Sequence, residues 1–365
     1  MGYANLHANC VVSVKYGIAE EQKEQLWRAL EQFPLDDPGV EHNFTQRLAR
    51  RNSWDLAYAA VVVAEYRKFL YLIKSTGLMQ TPSLHVDEAW HLHLNYTKKY
   101  WEMLCRDLFN EPVHHHPGDG TVDSEHVFEA VYERTLQLYI ARFGDPVFEV
   151  WGKPNAKIDW RSILTKLPET AHPTSYPILE WFQGDEEKMT TEFAIPGHHQ
   201  ELWSKLQGFT FDIIGVPKSF SDRVALRNKW PRHLALRVTE EYRKFLYLRA
   251  TLGKRVSPPT MVDEAWHIHM LYTKSYWVEL CQKIMGEPIH HKPGSGSIED
   301  DLNTKAIYAH TYDEYVKVFG EPPSDIWPDP HQGLDWRSII AELPGTKHVK
   351  SQIFHLFSDA SDEAA

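Results

Sequence analysis

Basic residues are few in this sequence, and so are the features that direct a chain to a membrane. Its 39 lysines and arginines are outnumbered by 50 aspartates and glutamates, which gives a formal net charge of −11. Nucleic acids and anionic membranes are bound by basic surfaces, so we expect neither as a partner. There is also no run of roughly 18 apolar residues, the length that a membrane-spanning helix requires.

Signals of secretion and of several common catalytic motifs are missing as well. The first residues do not combine a charged segment with an apolar one, as a secretion signal does. The three cysteines, Cys10, Cys105 and Cys281, form neither a CxxC pair nor a disulfide framework. We therefore expect free thiols and a cytoplasmic protein. Nucleophile elbows, phosphate-binding loops and dinucleotide fingerprints are absent too, so any catalysis must use other residues.

The sequence does contain a long internal repeat. Val-Asp-Glu-Ala-Trp-His stands at Val86–His91 and again at Val262–His267, and Tyr-Arg-Lys-Phe-Leu-Tyr-Leu stands at 66–72 and at 242–248. The offset is 176 residues in both cases, so neither copy carries a net insertion between these segments. We interpret the chain as one domain present twice. Residues that both copies keep are therefore the leading candidates for function.

The apolar residues recur at the three- and four-residue steps of helices. One helix is predicted over 56–73 with Gly77 as its stop, another from the N-cap Ser83 to about Phe109, and a third over 125–143. The predicted fold class is all-α: two tandem copies of a small helical-bundle domain related by pseudo-twofold symmetry. The predicted boundaries are an N-terminal arm (1–21), repeat one (22–168), a linker (169–197), repeat two (198–344) and an acidic C-terminal tail (345–365).

Four histidines are kept in each repeat, and two of them lie on the helix that carries the repeated motif. Successive helical residues turn by about 100°, which places Asp87 about 40° from His91 and one turn before it. His93 points nearly the opposite way, about 200° from His91. One undistorted helix therefore presents Asp87 and His91 to a single metal ion but cannot add His93. From the residues alone, we expect His93 and His269 in the core, bonded to a tyrosine or a carbonyl.

The remaining ligands are expected from the loop that follows this helix, which reads His-His-His-Pro-Gly at 114–118 and keeps His-His at 290–291. Imidazole with carboxylate suits Zn²⁺ or Fe²⁺ best, with Mn²⁺, Ni²⁺ and copper as alternatives. The candidate ligands are Asp87, His91, His114 and His115 in repeat one, and Asp263, His267, His290 and His291 in repeat two.

Two further expectations concern catalysis and the second site. Tyr96 and Tyr272 are the candidate proton donors if the metal serves an enzyme. Lys292 replaces His116 in repeat two, and Met261 replaces His85. The site in repeat two is therefore expected to bind metal more weakly.

The same residues also have a structural interpretation. A buried Asp–His pair can be a satisfied hydrogen bond near the start of a helix. Cys105 and Cys281 are expected to be buried thiols. The charged segments Glu65-Tyr66-Arg67 and Glu241-Tyr242-Arg243 are expected on solvated helix faces, and the alternative is that they supply groups that support the metal ligands.

The repeated motif and its flanking segments resemble the glycine-rich domain-containing protein-like family of plants and bacteria. The resemblance rests on Val-Asp-Glu-Ala-Trp-His-Leu-His-Leu at 86–94, Thr-x-x-Tyr at 97–100 and His-His-x-Pro-Gly at 114–118. It implies a helical fold and brings no established activity. His93 and His269 enter the candidate ligand set through it, because they fall on the family pattern. The chain departs from that family in lacking a glycine-rich segment and in carrying the motif twice.

Two classes of function are left open. The first is a duplicated metal-binding protein whose metal activates water or dioxygen, as a hydrolase or a non-haem oxidoreductase acting on a small-molecule or peptide substrate. The second is a non-catalytic helical interaction module whose repeated histidines are structural. A third hypothesis is that the metal only stabilises the fold. A chelator would then lower the melting temperature of the protein.

Overall fold

A computed structural model describes residues 18–152, here the first half, and 195–331, the second half, apart from 39, 41, 214, 215, 254 and 295–297. All regular structure in these residues is helical, which confirms the predicted all-α class. No described helix is both long and apolar enough to cross a membrane. Most of the predicted arm, nearly all of the linker and the whole acidic tail lie outside the described residues.

Apart from a 3₁₀ turn at the start of the second half and the short last helix of the first, the described helices follow one another in the same order in the two halves. The first half contains α1 (Glu20–Gln32), α2 (Phe44–Asn52), α3 (Leu56–Thr76), α4 (Leu84–Asn95), a first π-helix (Lys99–Phe109), α5 (Val122–Phe143) and α6 (Phe148–Trp151). The second half contains a 3₁₀ turn (Gly197–His199), α7 (Gln200–Gly208), α8 (Phe220–Asn228), α9 (Arg232–Leu252), α10 (Thr260–His269), a second π-helix (Lys274–Met285) and α11 (Ile298–Phe319). The bounds of α8, α9 and α11 are those of α2, α3 and α5 shifted by 176 residues.

The long helix α3 is the centre of the core in the first half. It packs against α1, α2, α4 and α5, and its side chains Tyr66, Phe69 and Leu70 are buried. Removing side chains of this size from water contributes about 1.5–3 kcal/mol each. Gly77 ends the helix in the left-handed region at φ 63°, as its position in the sequence predicts. Helix α9 has the corresponding role in the second half.

The helix predicted from Ser83 to about Phe109 begins as expected but ends early. Ser83 caps α4, accepting a hydrogen bond from the Val86 amide at 3.2 Å. Tyr96 then leaves helical conformation, with φ −86° and ψ 63°, and the chain continues as the first π-helix. The prediction of one continuous helix is therefore wrong.

The break after α4 is not explained by a helix-breaking residue, since neither proline nor glycine lies in 84–109, but the second half of the chain makes hydrogen bonds there. The main-chain carbonyl of Asn95 lies 2.9 Å from Nδ1 of His291, and the Thr97 hydroxyl donates to the His291 carbonyl at 3.0 Å. These tertiary contacts outweigh the local helical periodicity, which is only a weak constraint. The two halves are thus joined where α4 ends.

A buried glutamate fixes α3 to the helices that follow α4. Glu65 was expected on a solvated face, but only 2% of it is exposed, so that expectation is wrong. Its Oε2 accepts hydrogen bonds from the Tyr139 hydroxyl at 2.7 Å and the Trp151 indole at 2.8 Å. Its Oε1 accepts one from the Lys68 ammonium at 2.8 Å. A buried carboxylate with three hydrogen-bond donors is satisfied. Two of these donors, Tyr139 and Trp151, are more than 70 residues away in the chain, so a local sequence pattern could not show them.

The second half contains the same arrangement around Glu241. This carboxylate accepts from the Tyr315 hydroxyl at 2.7 Å, the Trp327 indole at 3.0 Å and the Lys244 ammonium at 2.8 Å. Both glutamates come one residue before a fully buried tyrosine. The contact therefore fixes the rotation of α3 and α9 about their axes.

Replacing Glu65 with alanine is expected to lower the free energy of unfolding by about 3 kcal/mol, because it leaves buried donors without an acceptor. The measurement is urea unfolding followed by circular dichroism. Glu31→Ala, at an exposed position of α1, is the matched control and should change stability by less than about 0.5 kcal/mol. Equal losses in the two variants would contradict the role of Glu65.

Candidate metal centre

Asp87, His91 and His115, here the first triad, converge from two segments of the first half. Asp87 and His91 lie one turn apart on α4, as their spacing predicts, and His115 follows the first π-helix. The His91 Nε2 atom is 3.1 Å from Asp87 Oδ2 and 3.2 Å from His115 Nε2. That His115 atom is also 3.2 Å from Asp87 Oδ1. Ligand atoms of a tetrahedral Zn²⁺ site with bonds of ~2.0–2.1 Å are about 3.3 Å apart, so this triad could hold a metal ion.

Asp263, His267 and His291 form a corresponding second triad in the second half. The two Nε2 atoms of its histidines are 3.1 Å apart. Its carboxylate lies farther away, at 3.4 Å from His267 and 3.7 Å from His291. The second triad could also hold a metal ion, but it is wider than the first.

The loop histidine of each triad is oriented by the main chain of the other half. His115 Nδ1 lies 2.9 Å from the Leu271 carbonyl oxygen, and His291 Nδ1 lies 2.9 Å from that of Asn95. A carbonyl oxygen only accepts hydrogen bonds, so Nδ1 of each ring carries the proton. Nε2 then faces the triad, and it is the atom through which a ring held in this way binds a metal.

The electrostatics of the triads favour ionised carboxylates. Burial raises the pKa of Asp87, but the charge of His91 and the hydrogen bonds from the triad histidines outweigh it and hold this pKa well below its usual range. Burial lowers the pKa of His91, but Asp87 and Glu88 together more than reverse this effect and raise the pKa to about 9. In the second triad, burial outweighs the more distant Asp263 and lowers the pKa of His267 to about 4. The pKa of Asp263 is nevertheless lowered, mainly by His267 acting against burial.

The structure places His93 and His269 in the core and not in the triads. His93 is fully buried, with its Nδ1 2.9 Å from the Tyr66 hydroxyl and its ring against Phe44. Burial lowers its pKa to about 3, so the ring is neutral. His269 has the same relation to Tyr242, at 3.0 Å. The core position of both histidines agrees with the orientation predicted from helical geometry. It does not agree with the ligand role that the family resemblance implied.

His114 and His290 also lie outside the triads. The Nδ1 atom of His114 is 3.2 Å from the Thr273 hydroxyl, and its ring lies on the same side of the loop as that of His116, with centroids 6.4 Å apart. The intervening His115 faces the triad, because successive residues of an extended chain point to opposite sides. His290 repeats this arrangement in the second half.

The two candidate proton donors, Tyr96 and Tyr272, pack against residues that do not belong to the triads. The Tyr96 ring packs against Phe44 at 5.7 Å and lies under the Lys99 ammonium at 5.7 Å. Tyr272 packs against Phe220 at 5.9 Å. Burial raises the pKa of both hydroxyls, to about 12 for Tyr272, which makes both poor proton donors near neutral pH.

Sequence reasoning missed the groups that hold the loop histidines in place. Thr97 and Thr273 are fully buried and bond the backbone of His291 and His115. Their presence at equivalent positions of both repeats was a signal that could have identified them. The carbonyls of Asn95 and Leu271 could not have been found, since they act through the main chain.

Comparison with known proteins gives one partial similarity. A family model described as UCP032817-like matches residues 215–307, about a quarter of the chain. This segment includes α8, α9, α10, the second π-helix and all residues of the second triad. No curated protein and no solved structure matches the chain significantly. The similarity is thus confined to part of the second half and gives no activity.

His93→Ala is expected to lower the free energy of unfolding by about 3 kcal/mol, because it leaves a cavity and removes the partner of the buried Tyr66 hydroxyl. Denaturant unfolding of the metal-free protein measures this loss. His126→Ala, at an exposed position of α5, is the control. A stability unchanged by His93→Ala would show that this histidine is no part of the core.

Proposed function

We propose that this protein binds two divalent transition-metal ions, one in each triad, and that it is a metal-dependent enzyme. The observation that carries the proposal is the convergence of ligand atoms from Asp87, His91 and His115 at 3.1–3.2 Å. The recurrence of the same three residue types in the second triad supports it.

The hydrogen-bond requirements of the first triad favour a cation at its centre. Because His115 donates through Nδ1, it faces Asp87 Oδ1 with the ring atom Nε2, through which an imidazole can bind a metal. These two atoms are 3.2 Å apart, a separation that suits a shared positive charge, which is either a proton on a triad histidine or a metal ion. A metal ion satisfies all three ligand atoms at once.

Two histidines and one carboxylate are the ligand set of non-haem Fe²⁺ sites and of several catalytic Zn²⁺ sites. Three protein ligands leave a coordination position open, whereas structural zinc sites have four. The side chains of His91 and Asp87 are 13% and 28% exposed, so water or a small substrate has access. When bound, such an ion would supply a Lewis acid for hydrolysis or a redox centre for dioxygen chemistry.

A structural role of the metal is the second candidate. Both triads include a histidine anchored to the opposite half of the chain, so a metal there would also join the halves. Under this alternative, a chelator lowers the melting temperature by several degrees or more. Under the catalytic proposal, removal of the metal by a chelator must also abolish a reaction, and adding back one kind of metal ion must restore that reaction.

The neighbouring histidines of the loop provide a matched test of metal binding. Elemental analysis by mass spectrometry of the tag-free full chain should find about two metal ions per molecule, predominantly zinc or iron. His115→Ala should remove one of them, because it deletes a ligand of the first triad. His114→Ala should keep both, since that ring lies beside Thr273 and outside the triad.

A wild-type chain without metal, even after incubation with Zn²⁺ or Fe²⁺ and removal of excess, would contradict the proposal. The non-catalytic interaction module would then be the better account of the histidines. Equal metal loss in His114→Ala and His115→Ala would contradict the assignment of the ligands.

A further inference from the structure

Each loop histidine is clamped by a threonine hydroxyl from the opposite half of the chain. The Thr273 hydroxyl accepts a hydrogen bond from the His115 amide at 2.9 Å and donates one to the His115 carbonyl at 3.0 Å. Both groups are buried. A hydroxyl has one donor and two acceptor sites, so this pair of bonds holds the loop backbone from both sides.

The reciprocal clamp holds the second triad. The Thr97 hydroxyl accepts from the His291 amide at 3.0 Å and donates to the His291 carbonyl at 3.0 Å. Between the two clamps, Trp101 and Trp277 are in contact, with ring centroids 5.1 Å apart. The two loop histidines are thus positioned at one shared contact between the halves.

Backbone and ring of each loop histidine are therefore fixed by the same short segment of the other half. For His115, this segment contains the Leu271 carbonyl and the Thr273 hydroxyl. For His291, it contains the Asn95 carbonyl and the Thr97 hydroxyl. Groups that orient a metal-binding histidine in this way typically contribute about 10–100-fold to metal affinity.

We propose that the two metal sites are coupled across this contact, with Thr97 and Thr273 as the positioning residues for the opposite site. This inference rests on the proposed function, since it requires metal at the triads. A metal ion in the first triad stabilises the docked arrangement that holds His115. That same arrangement orients His291, so occupancy of one site favours occupancy of the other, and the effect is reciprocal.

The test measures Zn²⁺ affinity at the first triad alone, by competition with a chromophoric chelator, in a full-length chain carrying His267→Ala. In this background, Thr273→Val should weaken Zn²⁺ binding at least about tenfold, although Thr273 lies about 160 residues from the nearest ligand in sequence. Thr97→Val in the same background should have a much smaller effect, because its hydroxyl serves the disabled site. In a His91→Ala background, the order of the two variants should be reversed.

Thr273→Ser distinguishes positioning from a loss of packing. It keeps the hydroxyl, and it should restore most of the Zn²⁺ affinity that Thr273→Val loses. Equal affinities for Thr273→Val and its parent would overturn the positioning role of Thr273, and equal effects of Thr97→Val and Thr273→Val in each background would overturn the assignment of each threonine to the opposite site. A His267→Ala chain that is folded but binds no Zn²⁺ would instead overturn the proposed function itself.

The folded state of each variant is checked by circular dichroism without metal. The chain with both triads intact tests the coupling itself, and this test does not depend on the folding of Thr273→Val. Its first triad should bind Zn²⁺ more tightly than the first triad of the His267→Ala chain, because a filled second site stabilises the contact. The same affinity in both proteins would overturn the coupling.

Discussion

The hydrogen bonds between each loop histidine and the opposite half of the chain are the constraint on which the candidate site depends. A helix that ends exposes main-chain carbonyls that need a partner. At the end of α4 the Asn95 carbonyl receives one from His291, and the Leu271 carbonyl, just past α10, receives one from His115. The helix break therefore serves two purposes, since it satisfies its own carbonyl and selects the imidazole tautomer suited to metal. Each break leads into a π-helix, a conformation that is often found next to functional sites.

The orientation of the helix that carries Asp87 and His91 is set from the other side, by α3. Glu65 fixes the rotation of α3 through its contacts with Tyr139 and Trp151. The next residue, Tyr66, bonds His93 on α4. Because His93 points away from His91 around that helix, holding His93 in the core presents Asp87 and His91 to the loop. The buried carboxylate thus acts on the site at a distance, through two packed helices.

The sequence was sufficient for those features that depend on spacing within one helix. The internal repeat, the pairing of Asp87 with His91 and the core position of His93 all follow from a fixed offset or from about 100° per residue. It was insufficient where the determining partner is distant in the chain. The break after α4, the burial of Glu65 and the choice of His115 over His114 each depend on residues between about 70 and 200 positions away. Local periodicity carries no information about such partners.

The two triads differ although their loop histidines are anchored alike. Both Nδ1–carbonyl distances are 2.9 Å, so the anchoring cannot explain the wider second triad. The difference lies in the carboxylate, since Asp263 is farther from both of its histidines than Asp87 is from its own. Burial of the helix histidine is opposed by a carboxylate 3.1 Å away in the first triad and 3.4 Å away in the second. The pKa shifts of the two histidines are accordingly opposite, since the pKa of His91 is raised to about 9 and that of His267 is lowered to about 4. Arg51 adds to the lowering for His267, because a nearby positive charge disfavours the protonated ring.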